Sequence, residues 1–365
     1  MHKPAYLVLE DGSVHEGLGF GAENEGLGEV VFNTSMTGYQ EVLTDPSYAG
    51  QIVTLTYPLV GNYRINAEDS ESARIQVRGL IVREHCEAPS HGRSDRTLHE
   101  FLAEQGIPGI SEIDTRAVTR RLRSQGVMMG IITGGDPDAV LKRLHDAPRY
   151  GELDYVASVS TGEEYDWNSS GDDRRDAKHR ILVTDYGLKY NILRHLRRRG
   201  CRVTVVPAAT PAEEMLAMKP SGILLSPGPG DPKLLDYAVA NIRRILGRVP
   251  VMGICLGHQI VARALGAETF KLKFGHRGGN HPVKDLADGR VYITAQNHGY
   301  AVSPEKLPPG LEVSHINLND QTVEGLRHKD MPLFTIQYHS EASPGPRDNE
   351  YLFDQFIEMV ELFHG

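Results

Sequence analysis

VPVMGICLGHQIVARALG, Val249–Gly266, opens as a short apolar strand pattern and continues as a helical one. Cys255 falls at the change, with Gly253 and Gly257 on either side. The spacing is G-x-C-x-G, the cysteine counterpart of the serine nucleophile elbow. Small flanking residues permit a strained turn, and the turn exposes the sulfur. The following helix then aims its first N–H groups and the positive end of its dipole at that sulfur. Packing as a small hydrophobe is the commoner fate of a free cysteine. Cys86 and Cys201 have no such setting and read as structural.

Upstream of this stretch the alternation repeats. RILVTDYG, CRVTVVP and GILLSPGPGDP read as strands, and LKYNILRHLRRRG, PAEEMLAM and LDYAVANIRRILG as helices. Downstream the pattern turns strand-rich (VYITAQ, LEVSHI, LFTIQYH) before a closing amphipathic helix, NEYLFDQFIEMVELFHG. Short apolar strands alternating with helices predict an α/β domain with a mostly parallel, doubly wound sheet over residues 180–365. Reactive groups are expected at the carboxyl ends of its strands.

The apolar pattern nearly vanishes in STGEEYDWNSSGDDRRDAKH, which predicts a linker over residues 161–179. Before it, residues 1–160 read as a smaller α+β domain. YLVLEDGSVHEG is a hairpin with Asp11-Gly12 in its turn, VVFNTS and GQIVTLTYP are strands, and DTRAVTRRLRSQG is a helix capped by Asp114.

Composition narrows the function. The 365 residues carry 39 Lys+Arg against 48 Asp+Glu, a formal net charge of -9, which gives no global attraction to nucleic acid. No apolar run is long enough to span a membrane, so a cytoplasmic protein is expected. Three scattered cysteines form neither a disulfide framework nor a metal knuckle. No G-x-x-x-x-G-K-[ST] loop occurs, and GLGFGAENEGLGE is not a dinucleotide fingerprint. In HRGGNHP, His276 and His281 read as loop residues rather than metal ligands.

A thiol nucleophile needs a base. LFTIQYHSEASPGP ends the last strand with His339 and Glu341 two residues apart, on one side of an extended chain. A carboxylate there can orient the imidazole toward the thiol. An oxyanion formed in the attack needs N–H donors: Leu256, directly after the cysteine, and the SPGPGDP backbone at Gly228 and Gly230 are candidates.

SPGPGDP, GICLGHQ, QNHGY and QYHSEASPGP, in this order, resemble the class I, triad-type glutamine amidotransferases over most of residues 180–365. FNTSMTGYQEVLTDPSYAGQIVTLTYPLVGNY, GISEIDTRAVTRRLR and GLKYNILRHL resemble the small-subunit family of carbamoyl phosphate synthetases, over nearly the whole chain. The resemblance implies that Cys255 is the nucleophile and that His339 and Glu341 complete its triad. It implies glutamine contacts at Ser47, Gly228, Gly230, Leu256, Gln259, Asn297, Gly299 and Tyr300. Pro227 stands where the family often has asparagine, and Tyr300 where it often has phenylalanine. The implied partner is a large subunit that uses ATP and bicarbonate and receives ammonia from this chain, docked on an apolar-centred surface of the amino-terminal domain. No metal or organic cofactor is implied for this chain. Two other readings remain at this point: a free-standing cysteine hydrolase of γ-glutamyl compounds, and an inert adaptor in which Cys255 is packing.

Overall fold

Asp11 and Gly12 turn the first hairpin, with Gly12 at φ 83° and its N–H donating to the Leu9 carbonyl. The computed structural model describes residues 3–63, 65–90, 96–167 and 177–365. The hairpin strands are β1 (Pro4–Leu9) and β2 (Val14–Gly21). They are followed by β3 (Gly26–Asn33), β4 (Gln51–Leu55), β5 (Gly79–Ile81), β6 (Pro108–Ser111) and β7 (Met128–Thr133). These strands close into a barrel in the order β1-β2-β6-β5-β4-β3-β7, with β7 returning to β1. Alternation foretells such strands one at a time; their closure depends on register between distant segments. Val31, Val53 and Leu80 meet Phe20 and the Phe101 and Leu102 of helix Leu98–Glu104 in one apolar cluster.

The helix predicted behind Asp114 is Thr115–Gln125. The Asp114 carboxylate accepts the Ala117 N–H at 2.9 Å, and Gly126 ends the helix at φ 108°. Asp114→Ala is therefore expected to destabilise this unit by about 1 kcal/mol. A urea titration of the full chain reads this as a lower midpoint at unchanged slope, and an unshifted midpoint would show that the cap is redundant.

Two compact units divide between Leu153 and Asp154. Part of the stretch read as a linker belongs to the second unit. Tyr165–Asp166 pairs with Thr204–Val205, and the Thr161 N–H donates to the Asp185 carboxylate at 2.8 Å. Residues 168–176 of that stretch lie outside the described residues.

The second unit is built on a 10-stranded sheet. Its strands are β8 (Tyr165–Asp166), β9 (Arg180–Asp185), β10 (Arg202–Pro207), β11 (Gly222–Leu225) and β12 (Val251–Ile254). They continue as β13 (Thr269–Asp285), β14 (Val291–Val302), β15 (Leu311–Asn317), β16 (Val323–His328) and β17 (Leu333–Ile336). The order is β8-β10-β9-β11-β12-β17-β16-β15-β13-β14. From β10 to β17 neighbours run parallel; from β17 to β14 they run antiparallel. Successive residues of the central strands go to opposite faces. Leu182, Ile223 and Leu225 pack with helices Asp236–Ile245 and Leu256–Leu265 on one side, and Ile181, Val183 and Leu224 with helices Tyr190–Arg198 and Tyr351–His364 on the other. Burial on both faces is why these strands read as unbroken apolar runs.

Candidate active site

Strand β12 delivers Cys255 directly to helix Leu256–Leu265, and the cysteine itself has φ 52° and ψ -104°. A positive φ on a residue with a side chain costs roughly 1–2 kcal/mol, so packing has to enforce it. Both flanking glycines serve that packing. A β-carbon on Gly253 would stand 2.9 Å from the Gly257 carbonyl, and one on Gly257 only 2.4 Å from the Leu225 carbonyl oxygen. The Cys255 N–H donates to the Ile336 carbonyl at 2.8 Å, and the Gly257 N–H to Ser226 at 3.2 Å. The Cys255 thiol donates to the Asn297 carbonyl, with Sγ at 3.7 Å.

His339 and Glu341 are brought together, by a different route from the one expected. Strand β17 stops at Ile336, and the pair lies in the turn beyond it. The Ala342 N–H folds back to the His339 carbonyl at 3.2 Å, and Ala342 and Ser343 both have positive φ. A tight turn, not strand alternation, sets His339 Nδ1 2.7 Å from Glu341 Oε1. The His339 N–H also donates to the Ala295 carbonyl at 2.9 Å, which anchors the turn to β14.

The charges are buried. His339 is 3% and Glu341 0% exposed. Burial by itself would push the imidazole down; the Glu341 carboxylate and then the Cys255 sulfur outweigh it and lift His339 to about 10. Burial would likewise raise Glu341, but Lys189 and then His339 draw it down to about 2. Lys189, itself 2% exposed, sets Nζ 3.0 Å from Glu341 Oε1 and donates to the Ala342 carbonyl at 2.6 Å. The site thus contains an ordered line of sulfur, imidazole, carboxylate and ammonium. Sequence reasoning missed Lys189: it sits 152 residues before Glu341 in GLKYN, a stretch read only as a helix start and as part of the family likeness. The only signal was a lysine just before a helix that follows a buried strand.

The remaining candidates divide between the units. In the second unit a β-carbon on Gly228 would meet the Tyr186 carbonyl oxygen at 2.2 Å and Leu256 Cδ2 at 2.8 Å, so the SPGPGDP loop lies against the start of the nucleophile's helix. Gly230 in the same loop has φ 92°. Gln259, on the first turns of that helix, donates to the Tyr300 carbonyl at 2.9 Å, and Asn297, Gly299 and Tyr300 follow one another along β14. Ser47 belongs to the first unit, in a short turn where the Asp45 carboxylate accepts its N–H at 2.8 Å; among the described residues its hydroxyl has no hydrogen-bond partner.

HRGGNHP is not a loop; it forms part of β13. His276 there converges with His298 and Glu324, all buried, with candidate ligand atoms within 4.8 Å of one another. Protein groups occupy them: His276 Nε2 meets Asp320 at 2.8 Å, and Asn317 donates to Glu324 at 2.8 Å. Among the described residues no helix is long and apolar enough to cross a membrane.

Residues 7–132 match the carbamoyl-phosphate synthase small chain, CPSase domain, and residues 182–359 match glutamine amidotransferase class-I. The chain is 54% identical over 359 residues to the carbamoyl phosphate synthase small chain of Listeria innocua, covering 98% of this chain and 96% of that one. The chain belongs to the carbamoyl-phosphate synthase small-chain family. Two other relatives agree. The small chain of Syntrophotalea carbinolica is 51% identical, with 98% of each chain covered. The pyrimidine-specific small chain of Bacillus subtilis is 54% identical, covering 97% of this chain and 95% of that one. Both family domains fall where the fold divides, the small-chain domain on the barrel and the amidotransferase domain on the sheet.

Proposed function

We propose that this chain is the glutaminase subunit of a glutamine-dependent carbamoyl phosphate synthetase, working through a Cys255–His339–Glu341 triad. The observation that carries the proposal is the elbow cysteine beside an imidazole that a buried carboxylate holds by Nδ1. The Cys255 thiolate attacks the side-chain amide carbon of glutamine, and the Leu256 and Gly228 N–H groups receive the oxyanion. His339 Nε2 passes its proton to the amide nitrogen as the C–N bond breaks, and ammonia leaves a γ-glutamyl thioester. The imidazole, now neutral, takes a proton from water as the hydroxyl adds to the thioester carbon. The C–S bond then breaks, glutamate is released and the thiolate is restored.

Gly230, Gln259, Asn297, Gly299 and Tyr300 are proposed to hold the glutamine, together with Ser47 from the barrel unit. Ammonia is proposed to pass through the protein to a large synthetase subunit. That subunit binds ATP with its metal ions and makes carbamoyl phosphate for arginine and pyrimidine synthesis in the cytoplasm. The triad's chemistry draws on no metal or organic cofactor in this chain.

The test is ammonia release from glutamine by the purified chain, alone and co-expressed with a synthetase large subunit. Weak activity alone that rises sharply with the partner is expected. Full activity without a partner would identify a self-sufficient hydrolase, and none in either state an inert adaptor.

A further inference from the structure

SPGPGDP begins where β11 ends, and its first residue, Ser226, is completely buried. Its N–H donates to the Thr184 carbonyl at 3.3 Å, and its carbonyl accepts the Gly257 N–H from the start of the nucleophile's helix at 3.2 Å. Its hydroxyl oxygen accepts the Tyr186 N–H at 2.9 Å and lies 2.8 Å from the Pro227 carbonyl oxygen. An N–H only donates and a carbonyl only accepts, so the hydroxyl proton goes to the Pro227 carbonyl. At 0% exposure, bulk water does not compete for it.

The Pro227 carbonyl and the Gly228 N–H belong to one trans peptide plane, in which they point in opposite directions. Fixing the carbonyl therefore fixes the N–H. Turning this plane over changes ψ of Pro227 and φ of Gly228 and leaves the Cα atoms in place. The proline ring locks φ of Pro227, not its ψ, and glycine accepts φ of either sign. Packing of the Gly228 Cα against the Tyr186 carbonyl and the Leu256 side chain sets where the loop runs, but not which way the plane faces. The Ser226 hydroxyl does choose. Among the described residues nothing accepts the Gly228 N–H.

We propose that Ser226 is a positioning residue for glutamine hydrolysis: its hydroxyl holds the Pro227–Gly228 peptide in the orientation that offers the Gly228 N–H to the oxyanion. The inference rests on the glutaminase reading above. In the flipped orientation a carbonyl oxygen would stand where the donor is needed and would repel the developing charge. The donor matters most to the tetrahedral oxyanion and least to the bound amide, so losing it falls on the transition state.

The experiment uses the full chain with its co-expressed large subunit and compares wild type with Ser226→Ala in three measurements. In ammonia release, kcat is expected to fall about 10²-fold, the low end for a missing oxyanion donor, while KM hardly moves. The second probe is glutamate γ-semialdehyde, whose carbonyl carbon takes the Cys255 sulfur and whose oxygen takes the thiol proton, giving a tetrahedral adduct. Its affinity is expected to fall by a factor similar to that in kcat. The third is the rate of Cys255 alkylation by iodoacetamide, which needs no oxyanion donor and is expected to stay at the wild-type value.

A wild-type kcat in Ser226→Ala, a KM that rises in place of the fall in kcat, or undiminished semialdehyde affinity overturns the proposal. So does alkylation that slows in step with kcat, which would mean a distorted elbow. Should Ser226→Ala fail to fold, Ser226→Cys fills the site with a weak donor and decides by the same three measurements. Wild type that releases no ammonia, or as much after Cys255→Ser, overturns the glutaminase reading and this proposal with it.

Discussion

Cys255→Ser is expected to lower glutamine hydrolysis at least about 10³-fold, while the complex still makes carbamoyl phosphate from added ammonia. The reason is the charge pattern around the sulfur. Burial disfavours an imidazolium at His339, yet Glu341 and Cys255 together raise it to about 10. The ring is thus held in its cationic form beside the sulfur that makes the attack. A serine hydroxyl is a far weaker nucleophile, and the ring loses the support of the sulfur, so the attack loses its nucleophile. The elbow itself should persist, because its shape depends on Gly253 and Gly257 and not on the sulfur.

Proton linkage gives a second readout of the same variant. The folded value of His339 lies above the ordinary value of about 6.5. Its stabilisation is therefore fully present below about pH 6.5 and fades as pH rises through about 10. Without the sulfur that upper limit should move down, and the variant should lose stability at a lower alkaline pH than wild type. Parallel ammonia-release assays and pH-dependent melting check both effects. Substantial glutaminase activity in Cys255→Ser would mean that another group is the nucleophile.

Much of this site was legible in sequence because its parts are local. Gly253, Cys255 and Gly257 lie within five residues, and their spacing describes a backbone conformation before any tertiary contact is known. The helix behind Asp114 and the turn at Asp11-Gly12 were legible for the same reason. Long-range features were not. Closure of the barrel needs β7 to find β1 across more than a hundred residues, and no short pattern encodes that pairing. HRGGNHP, rich in turn-forming residues, is held as strand by the following strand β14: His276 pairs with His298 and His281 with Thr294. Tertiary pairing overrode local propensity there. His339 and Glu341 were found, but the turn that joins them was not, since Ala342 and Ser343 adopt positive φ without the glycine that would have signalled it.

Lys189 is the clearest case of a residue visible only in the fold, and its removal should have the second large effect. Glu341 is completely buried, and one of its oxygens, Oε1, meets both His339 Nδ1 at 2.7 Å and Lys189 Nζ at 3.0 Å. Among the described residues its Oε2 has no hydrogen-bond partner. Lys189→Met keeps the aliphatic bulk and deletes the charge, leaving a buried carboxylate with one imidazole for company. Breaking a buried pair in this way costs about 3–5 kcal/mol, because it leaves an uncompensated buried charge.

The direction with pH follows from the causes already named. Burial raises Glu341, and Lys189 is the largest influence drawing it down to about 2. In wild type the carboxylate's stabilisation is present above the ordinary value of about 4.3 and lost only as pH falls through about 2. In the variant burial dominates, so the acid unfolding edge should move up in pH. Activity should fall with it: a protonated Glu341 no longer orients His339 as an acceptor of its N–H, so kcat drops more than KM rises. Melting curves between about pH 3 and 8, read beside glutaminase rates, test both parts. An unchanged acid edge would show that His339 alone keeps Glu341 ionised, and Lys189 would then be reduced to a tie between the helix start and the Ala342 carbonyl.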